Sequence, residues 1–200
     1  MKNKFFESAY GLQNIKRFSN RPVVVHHSPA EHSYYVAVLA LFIAESENLK
    51  IEKKEDKFDI AIVLKKSLCH DMPESLTGDL LYPIKHSSPE LHKKVQEIEE
   101  AIVRDVLLKH LSKDLQENFY DSIIHCKDGR EGQLVAFCDQ LEVLYYLVEE
   151  KKLGNMNQWV EEVFNTVKML CDALSKTTAT SRKLYEHVVE EMDKISSKEK

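Results

Sequence analysis

The 200-residue sequence is poor in chain-breaking residues: it has five glycines and five prolines, and every proline lies before residue 90. Long helices are favoured where breakers are rare, and no useful stretch alternates apolar and polar residues as a strand would. These absences predict an all-α protein. No linker divides the chain, so we expect a single domain over residues 1–195, built from six to eight helices, with a solvated tail at 196–200.

The sequence also lacks a C-x-x-C pair, a membrane-length apolar run and an excess of basic residues. Its four cysteines lie far apart in or beside apolar segments, which is typical of reduced thiols in a cytoplasmic protein. The longest apolar run, residues 34–44, is too short to cross a bilayer, and the N-terminus does not resemble a signal peptide. The formal net charge of −5 argues against a nucleic acid polymer as partner.

Apolar residues at helical spacing predict helices over residues 4–16, 29–48, 53–70, 88–110, 112–126, 131–152, 156–176 and 180–195. The second helix has the clearest start. Ser28 precedes Pro29 at the first helical position, and Glu31 completes a capping box. After Ser33 this helix is apolar almost all round, which predicts a central, buried helix.

Histidine and acidic side chains interrupt three of these helices. His32 lies near the start of the second helix, and His70 and Asp71 end the third. Asp139 stands inside the otherwise apolar stretch LVAFCDQLEVLYYL. Such groups are costly to place beside a hydrophobic core unless something there binds them.

The candidate partners of Asp139 lead to a metal hypothesis. The nearest cations, Lys127 and Arg130, fall in the preceding turn and are not expected on the same face as Asp139. One divalent metal held by two imidazoles and two carboxylates satisfies all four groups, and this mixed donor set suits Mn, Co, Ni, Fe or Zn. Spacing alone leaves open that His32 is a capping or hydrogen-bonded core residue and that Asp139 is a buried salt-bridge partner.

Three segments resemble those of a known family: AEHSYYVAVLA, HDMPESLTGDLLYPIK and VAFCDQLEVLYYLVEE. Together they resemble the HD-domain metal-dependent phosphohydrolases, and more closely the bacterial 5′-deoxynucleotidases of the YfbR-like group. The resemblance covers residues 12–150, and its middle segment is far more specific than a His-Asp pair alone. It implies a helical HD fold and one divalent metal ion, which is Co, Mn, Ni, Fe, Zn or Mg.

The resemblance also implies roles for individual residues. The metal ligands would be His32, His70, Asp71 and Asp139. Glu74 would manage the proton of the attacking water, while Asp79 would contact the sugar and help position the nucleophile. Arg17 would bind phosphate oxygens. The simpler alternatives are a capping or surface acid at Glu74, a turn residue at Asp79 and a helix-end cation at Arg17.

Phe18 and Lys85 extend the implied substrate site. Phe18 stands where the compared family member has a tryptophan linked to rejection of the ribose 2′-hydroxyl, so a preference for deoxyribose is left open. Lys85 either contacts the substrate or lies only on the surface. We interpret His26 and His27 as solvated loop residues, and His125 has no assigned role.

The function implied is a metal-dependent 5′-nucleotidase that hydrolyses (deoxy)ribonucleoside 5′-monophosphates, with a small phosphorylated nucleotide as substrate. The alternatives are an HD hydrolase acting on nucleoside triphosphates or nucleotide pyrophosphates, and a non-enzymatic HD-fold binding module. The intact ligand set with Glu74 argues against the module, and the few basic residues near the site argue against larger substrates. Apolar stripes on residues 92–111 and 156–192, together with the resemblance, predict a homodimer.

Overall fold

A computed structural model describes residues 4–80 and 88–198, and within these ranges the chain forms helices and no strand, as predicted. The helices are α1 (Lys4–Gly11), α2 (Pro29–Asn48), α3 (Ile60–Cys69), α4 (Glu74–Thr77), α5 (Pro89–Ile102), α6 (Lys113–Ile124), α7 (Gly129–Lys152), α8 (Gln158–Ser175) and α9 (Ala179–Lys198). Turns of 3-10 helix occur at Leu12–Asn14 and Lys54–Asp56, and a π-helical turn, Val103–Leu107, continues α5.

The predicted start of α2 is confirmed. The Glu31 backbone N–H donates to Ser28 Oγ at 3.2 Å, and the Ser28 backbone N–H donates to the Glu31 carboxylate at 2.8 Å. Both bonds satisfy N–H groups that have no partner inside the helix, and Pro29 occupies the first position, where no N–H is needed. The capping box therefore fixes the helix register that places His32 near the start of α2.

The third helix is shorter than predicted, because it begins at Ile60 rather than near residue 53. Asp59 caps it by accepting from the Ile62 N–H at 3.1 Å. Just before this cap, the side chain of Asn48 accepts from the Phe58 N–H at 2.7 Å and donates to the Phe58 carbonyl at 3.0 Å. These bonds tie the Phe58 backbone to α2, so α3 does not extend backward from Asp59.

The core is built around α7, which packs against α2, α3, α8 and α9. Five large side chains of α7 are almost fully buried: Leu134, Phe137, Leu141, Leu144 and Leu147. Burial of each contributes about 1.5–3 kcal/mol relative to exposure. This central position means that a polar group on the buried face of α7 is surrounded by packed neighbours.

The prediction that α2 is buried all round was wrong. Its core face carries Val36, Ala40 and Ile43, each with no exposed surface. The opposite face exposes about half of each of four apolar side chains: Tyr34, Tyr35, Val38 and Phe42. The apolar pattern therefore fits a helix that packs on one side and presents an apolar surface on the other.

A smaller cluster supports the end of α3. Its buried members are Leu12, Cys69, Met72, Val103, Leu107, Leu108 and Ile123. Cys69 and Met72 flank His70 and Asp71, so this cluster fixes the backbone at the His-Asp pair. All four cysteines are free, buried thiols. Among the described helices, none is long and apolar enough to span a membrane.

Candidate active site

Three of the predicted ligands converge on one point between α2 and the end of α3. His70 Nε2 lies 3.4 Å from His32 Nε2 and 3.4 Å from Asp71 Oδ2, and His32 Nε2 lies 3.7 Å from the same carboxylate oxygen. One donor atom from each residue thus lies within 4.8 Å of the others. This spacing is compatible with a shared metal ion.

Both imidazoles are oriented by partners on their far nitrogens. His70 Nδ1 lies 2.8 Å from the Ser67 carbonyl, which can only accept, so Nδ1 carries the proton and Nε2 presents its lone pair to the site. His32 Nδ1 contacts the Glu142 carboxylate. A ring nitrogen that donates in this way fixes the tautomer and orientation of a metal-binding histidine.

Glu142 was missed in the sequence. It is buried on α7 and also approaches His27, whose Nε2 lies 3.5 Å from Glu142 Oε1. The interpretation of His27 as solvated was therefore wrong, because its ring is buried between Glu142 and Tyr146; His26 is exposed as expected. The available signal was that Glu142 follows Asp139 by three residues, on the same face of an apolar helix.

Asp139 joins the site through His32, whose Nε2 lies 3.0 Å from Asp139 Oδ1. The other oxygen of Asp139 forms an ion pair with Lys127, so the prediction that Lys127 lies on a different face was wrong. Burial opposes ionisation of Asp139, but Lys127 and His32 hold the pKa of this carboxyl well below its usual range. Arg130 instead stacks on the Phe58 ring, 4.0 Å from its centroid.

His32 is the most strongly perturbed of the imidazoles. Burial and the positive charge of Arg17 oppose its protonation, yet Glu142 and Asp139 raise the pKa of His32 to about 9. By contrast, burial lowers the pKa of His70. Near neutral pH, the pocket therefore holds one charged and one neutral imidazole beside its carboxylates.

Glu74 begins the short helix α4, one turn after Asp71, and its Oε2 is buried without a hydrogen-bond partner among the described residues. Burial, followed by the negative charge of Asp71, raises the pKa of Glu74 to about 9. A buried carboxyl oxygen with no partner carries a large desolvation cost. A pKa of about 9 leaves the Glu74 carboxyl protonated near neutral pH, and a cation bound at Asp71 would favour its ionised, proton-accepting form.

Arg17 and Asp79 meet the site at a strained turn. Arg17 Nη1 lies 3.5 Å from Asp71 Oδ2, and the Phe18 N–H donates to Asp79 Oδ2 at 3.3 Å. Phe18 has φ of 52°, a left-handed conformation that costs a non-glycine residue about 1–2 kcal/mol. Its ring stacks on Tyr146, with centroids 5.3 Å apart, and this packing holds the turn in place.

The segment after this turn is tied to α7 by Glu150. The Val24 and Val25 N–H groups each donate to its carboxylate at 2.8 Å, and Glu150 is only 1% exposed. Bonds to a buried carboxylate are among the stronger protein hydrogen bonds. The chain that carries Arg17 is therefore held against the same helix that carries Asp139.

A cavity of about 1230 Å³ opens onto the cluster and extends toward α5 and α8. The predicted site residues that line it are Arg17, Phe18, His70, Asp71, Glu74, Asp79 and Asp139. His32 lies beneath this surface with no exposed area, and Lys85 lies outside the described residues. His125 also lines the cavity, and its side chain is half exposed.

The donor chemistry fits a divalent metal ion. Two imidazoles whose far nitrogens are held by Glu142 and by the Ser67 carbonyl face two carboxylates, a set that binds borderline and harder divalent ions in preference to a soft monovalent ion. The cysteine thiols do not indicate a thiolate-bound metal. Burial raises the pKa of Cys69 and of Cys126 to about 11, so both stay protonated near neutral pH.

Solved structures share this architecture. A crystal structure of an HD-domain phosphohydrolase from Listeria innocua matches with a TM-score of 0.77 over 98% of both chains, at 22% identity. The cyanophage S-2L HD phosphohydrolase, bound to dA and one catalytic Zn²⁺, matches with a TM-score of 0.62 over 96% of both chains, at 15% identity. The chain therefore has the HD-domain phosphohydrolase fold.

Sequence comparison narrows this class to one family. The family model described as 5′-deoxynucleotidase YfbR-like matches residues 4–194. A 5′-deoxynucleotidase from Vibrio cholerae is 31% identical over 152 residues, which is 76% of each chain. Another from Yersinia pestis is 30% identical over 158 residues, 78% of each chain. The chain belongs to the YfbR-like 5′-deoxynucleotidase family, which confirms the resemblance in its sequence.

Proposed function

We propose that this chain is a metal-dependent 5′-nucleotidase that hydrolyses (deoxy)ribonucleoside 5′-monophosphates to nucleoside and phosphate. The observation that carries this is the convergence of His32, His70 and Asp71 at a cavity that also holds the Glu74 oxygen, which has no hydrogen-bond partner among the described residues. Its family membership supports the reaction, since the relatives from Vibrio cholerae and Yersinia pestis are named 5′-deoxynucleotidases. The phage phosphohydrolase bound to dA and Zn²⁺ supports a deoxynucleoside ligand and a metal.

Four residues would hold the metal: His32, His70, Asp71 and Asp139. When bound, a divalent ion supplies Lewis acidity that activates water and neutralises phosphate charge. Zinc is supported by the phage relative, while Co, Mn, Ni, Fe and Mg also suit this mixed donor set. The Glu142 carboxylate and the Ser67 carbonyl keep the two imidazoles turned toward the site.

The remaining residues would act on water and substrate. Glu74 would accept the proton of the attacking water, since a divalent ion bound at Asp71 would offset the negative charge that helps to raise the pKa of Glu74 and would so favour its carboxylate form. Arg17 can release Asp71 and donate paired hydrogen bonds to phosphate oxygens. Asp79, held by the Phe18 N–H, accepts from the sugar. Lys85 remains a further candidate for substrate contact, and Phe18 leaves the choice of ribose or deoxyribose to be measured.

Three broader features belong to the same proposal. Residues 1–195 form a single domain, which the family match over most of the chain supports, and the predicted tail at 196–200 starts as the end of α9, which continues to Lys198. The protein acts in the cytoplasm as a homodimer on a small nucleotide rather than on a nucleic acid polymer. Four unpaired thiols support a reducing compartment, and exposed Ile98 and Met169 on the predicted apolar stripes support the dimer.

The direct test is phosphate release from matched ribo- and deoxyribonucleoside mono-, di- and triphosphates. Each substrate is tested with Mn, Co, Mg or Zn supplied and with excess chelator. We expect release from monophosphates only, and only with metal. Cleavage of triphosphates instead would select the alternative HD hydrolase, and the absence of release with every metal would overturn the proposed function.

A further inference from the structure

Two of the proposed metal ligands, Asp71 and Asp139, each contact a different cationic side chain. Arg17 lies 3.5 Å from Asp71, and Lys127 forms an ion pair with Asp139. Lys127 belongs to none of the motifs that carry the family resemblance, and it enters from the loop between α6 and α7. Arg17, Lys127 and both carboxylates line the same cavity. The site therefore contains a second cation, Lys127, which has no role in the reaction proposed above.

The loop that carries Lys127 is fixed on both sides of this residue. Lys66, which is only 5% exposed, donates from Nζ to the carbonyls of His125 and Asp128, at 2.8 Å each. A buried ammonium group is costly unless it is hydrogen-bonded, so these two carbonyls must stay in place to compensate for the burial of Lys66. The backbone on both sides of Lys127 is thus held by a lysine of α3, the helix that ends at Cys69, next to His70.

α7 is shaped to accept this loop. A Cβ added at Gly132 would lie 2.4 Å from the Lys127 carbonyl carbon, so only glycine allows the loop to pass so close. Gly132, Ala136 and Asp139 follow one another at helical spacing on one face. Two small residues therefore leave a path along α7 by which the Lys127 side chain reaches Asp139.

Charge balance indicates what Lys127 binds during turnover. A divalent ion held by Asp71 and Asp139 would neutralise the two carboxylates that face Lys127, which leaves Lys127 without its present counter-charge, while Arg17 would still face Glu142 and Asp79. A phosphate monoester carries about two negative charges near neutral pH. Arg17 and Lys127 would match this charge. The planar guanidinium of Arg17 can make paired hydrogen bonds, and the ammonium of Lys127 acts as a compact positive charge.

We propose that Lys127 is a substrate-binding residue that contacts a non-bridging phosphate oxygen opposite Arg17. This inference rests on the proposed function, because it takes a phosphate monoester as the substrate. Lys127 exchanges one anionic oxygen, on Asp139, for another on the phosphate, so its charge is balanced in both states. Its side chain is 39% exposed toward the cavity, which leaves room for this exchange.

The test is the affinity of inorganic phosphate for the metal-loaded protein, measured by calorimetry together with bound metal per chain. Lys127→Met is expected to weaken phosphate binding about 10- to 100-fold, because a hydrogen bond to a charged group is lost. Metal content should stay at the wild-type level. Lys127→Arg should remain much closer to wild type. Lys109→Met removes the same charge at an exposed position outside the cavity and should change nothing.

Kinetics separate this role from a structural one. With a nucleoside monophosphate, Lys127→Met should raise KM by a similar factor, and phosphate should become a weaker competitive inhibitor. Phosphate affinity within twofold of wild type would overturn the proposal, as would a change confined to metal affinity. A wild-type protein that binds no phosphate at millimolar concentration would also overturn it. If wild type binds phosphate through Lys127 but hydrolyses no nucleotide, the proposed function fails and the Lys127 assignment stands.

Discussion

At the scale of single residues, the pair formed by His32 and Glu142 decides which imidazole nitrogen faces the cavity. Glu142 contacts Nδ1 from the core side of α7, so Nε2 is left for Asp139 or a metal. Burial opposes the charge on Glu142, but His32 lowers the pKa of this carboxyl, so it stays ionised as an acceptor. Glu142, a buried acid outside the cavity lining, thus orients one of the proposed metal ligands.

We predict that Glu142→Gln weakens metal binding by about 10- to 100-fold, since the glutamine holds His32 less firmly and removes a buried negative charge. The measurement is competition with a chromophoric chelator. A d–d absorption spectrum of the Co²⁺ form should also change if the ligand geometry is altered. Glu149→Gln, an exposed acid on the same helix, is the matched control. Equal affinities for wild type and Glu142→Gln would contradict the assignment.

Metal binding should release about one proton per chain from His32 at pH 7, and a further proton where the metal also lowers the raised pKa of Glu74. With a pKa of about 9 in the metal-free protein, His32 is protonated there and must lose its Nε2 proton to act as a ligand. Affinity should therefore rise with pH, by up to about tenfold per unit, until the pH nears 9. Calorimetry in buffers of different ionisation enthalpy measures the release. Identical heats in all buffers would show that His32 is already neutral.

At the scale of elements, the approach of the α6–α7 loop to α7 depends on one glycine. The Gly132 position leaves no space for a Cβ beside the Lys127 carbonyl, while Gly11 has its nearest neighbour at 3.8 Å. The two glycines therefore offer a matched pair in which only one is required by close packing.

We expect Gly132→Ala to lower the free energy of unfolding by about 1–3 kcal/mol, because the loop or the helix must shift to admit the methyl group. Gly11→Ala meets only an ordinary contact and should change stability by less than about 1 kcal/mol. Urea unfolding of the metal-free variants measures both. Equal stability of the two variants would mean that the loop adapts without cost.

The same elements show what the sequence could predict. The capping residues predicted the start of α2. The polar residues that interrupt apolar helices predicted that His32, His70 and Asp71 come together, and both signals can be seen in short stretches of sequence. The ion pair between Lys127 and Asp139 could not be predicted, because helical spacing gives no information on a loop whose chain lies against the helix that follows it. The exposed face of α2 could not be predicted either, since apolar periodicity does not distinguish a core from an outer apolar surface.

At the scale of the whole molecule, several apolar side chains remain exposed. Tyr34, Val38 and Phe42 lie along α2, and Met169 and Leu170 on α8. Contiguous exposed apolar surface is typical of association sites. The α8 residues belong to one of the stripes that predicted a homodimer, whereas the α2 surface became visible only once the helix was placed.

We predict a homodimer at micromolar concentration. Size-exclusion chromatography with light scattering should give twice the chain mass of 23.2 kDa. Met169→Glu, which places a charge on α8, should shift the protein toward monomer if this stripe is the interface, while Phe42→Glu tests the α2 face. A clean monomer for the wild-type protein would remove the prediction.

The central claim is that Glu74 performs the proton chemistry of a metal-dependent phosphatase, and one comparison tests it most directly. Phosphate release from a deoxyribonucleoside 5′-monophosphate is measured for wild type and Glu74→Gln, with bound metal determined in the same samples. We predict that Glu74→Gln keeps its metal and loses about 10²- to 10⁴-fold in kcat, the usual contribution of a general base. Full activity of a metal-replete Glu74→Gln protein would contradict the account.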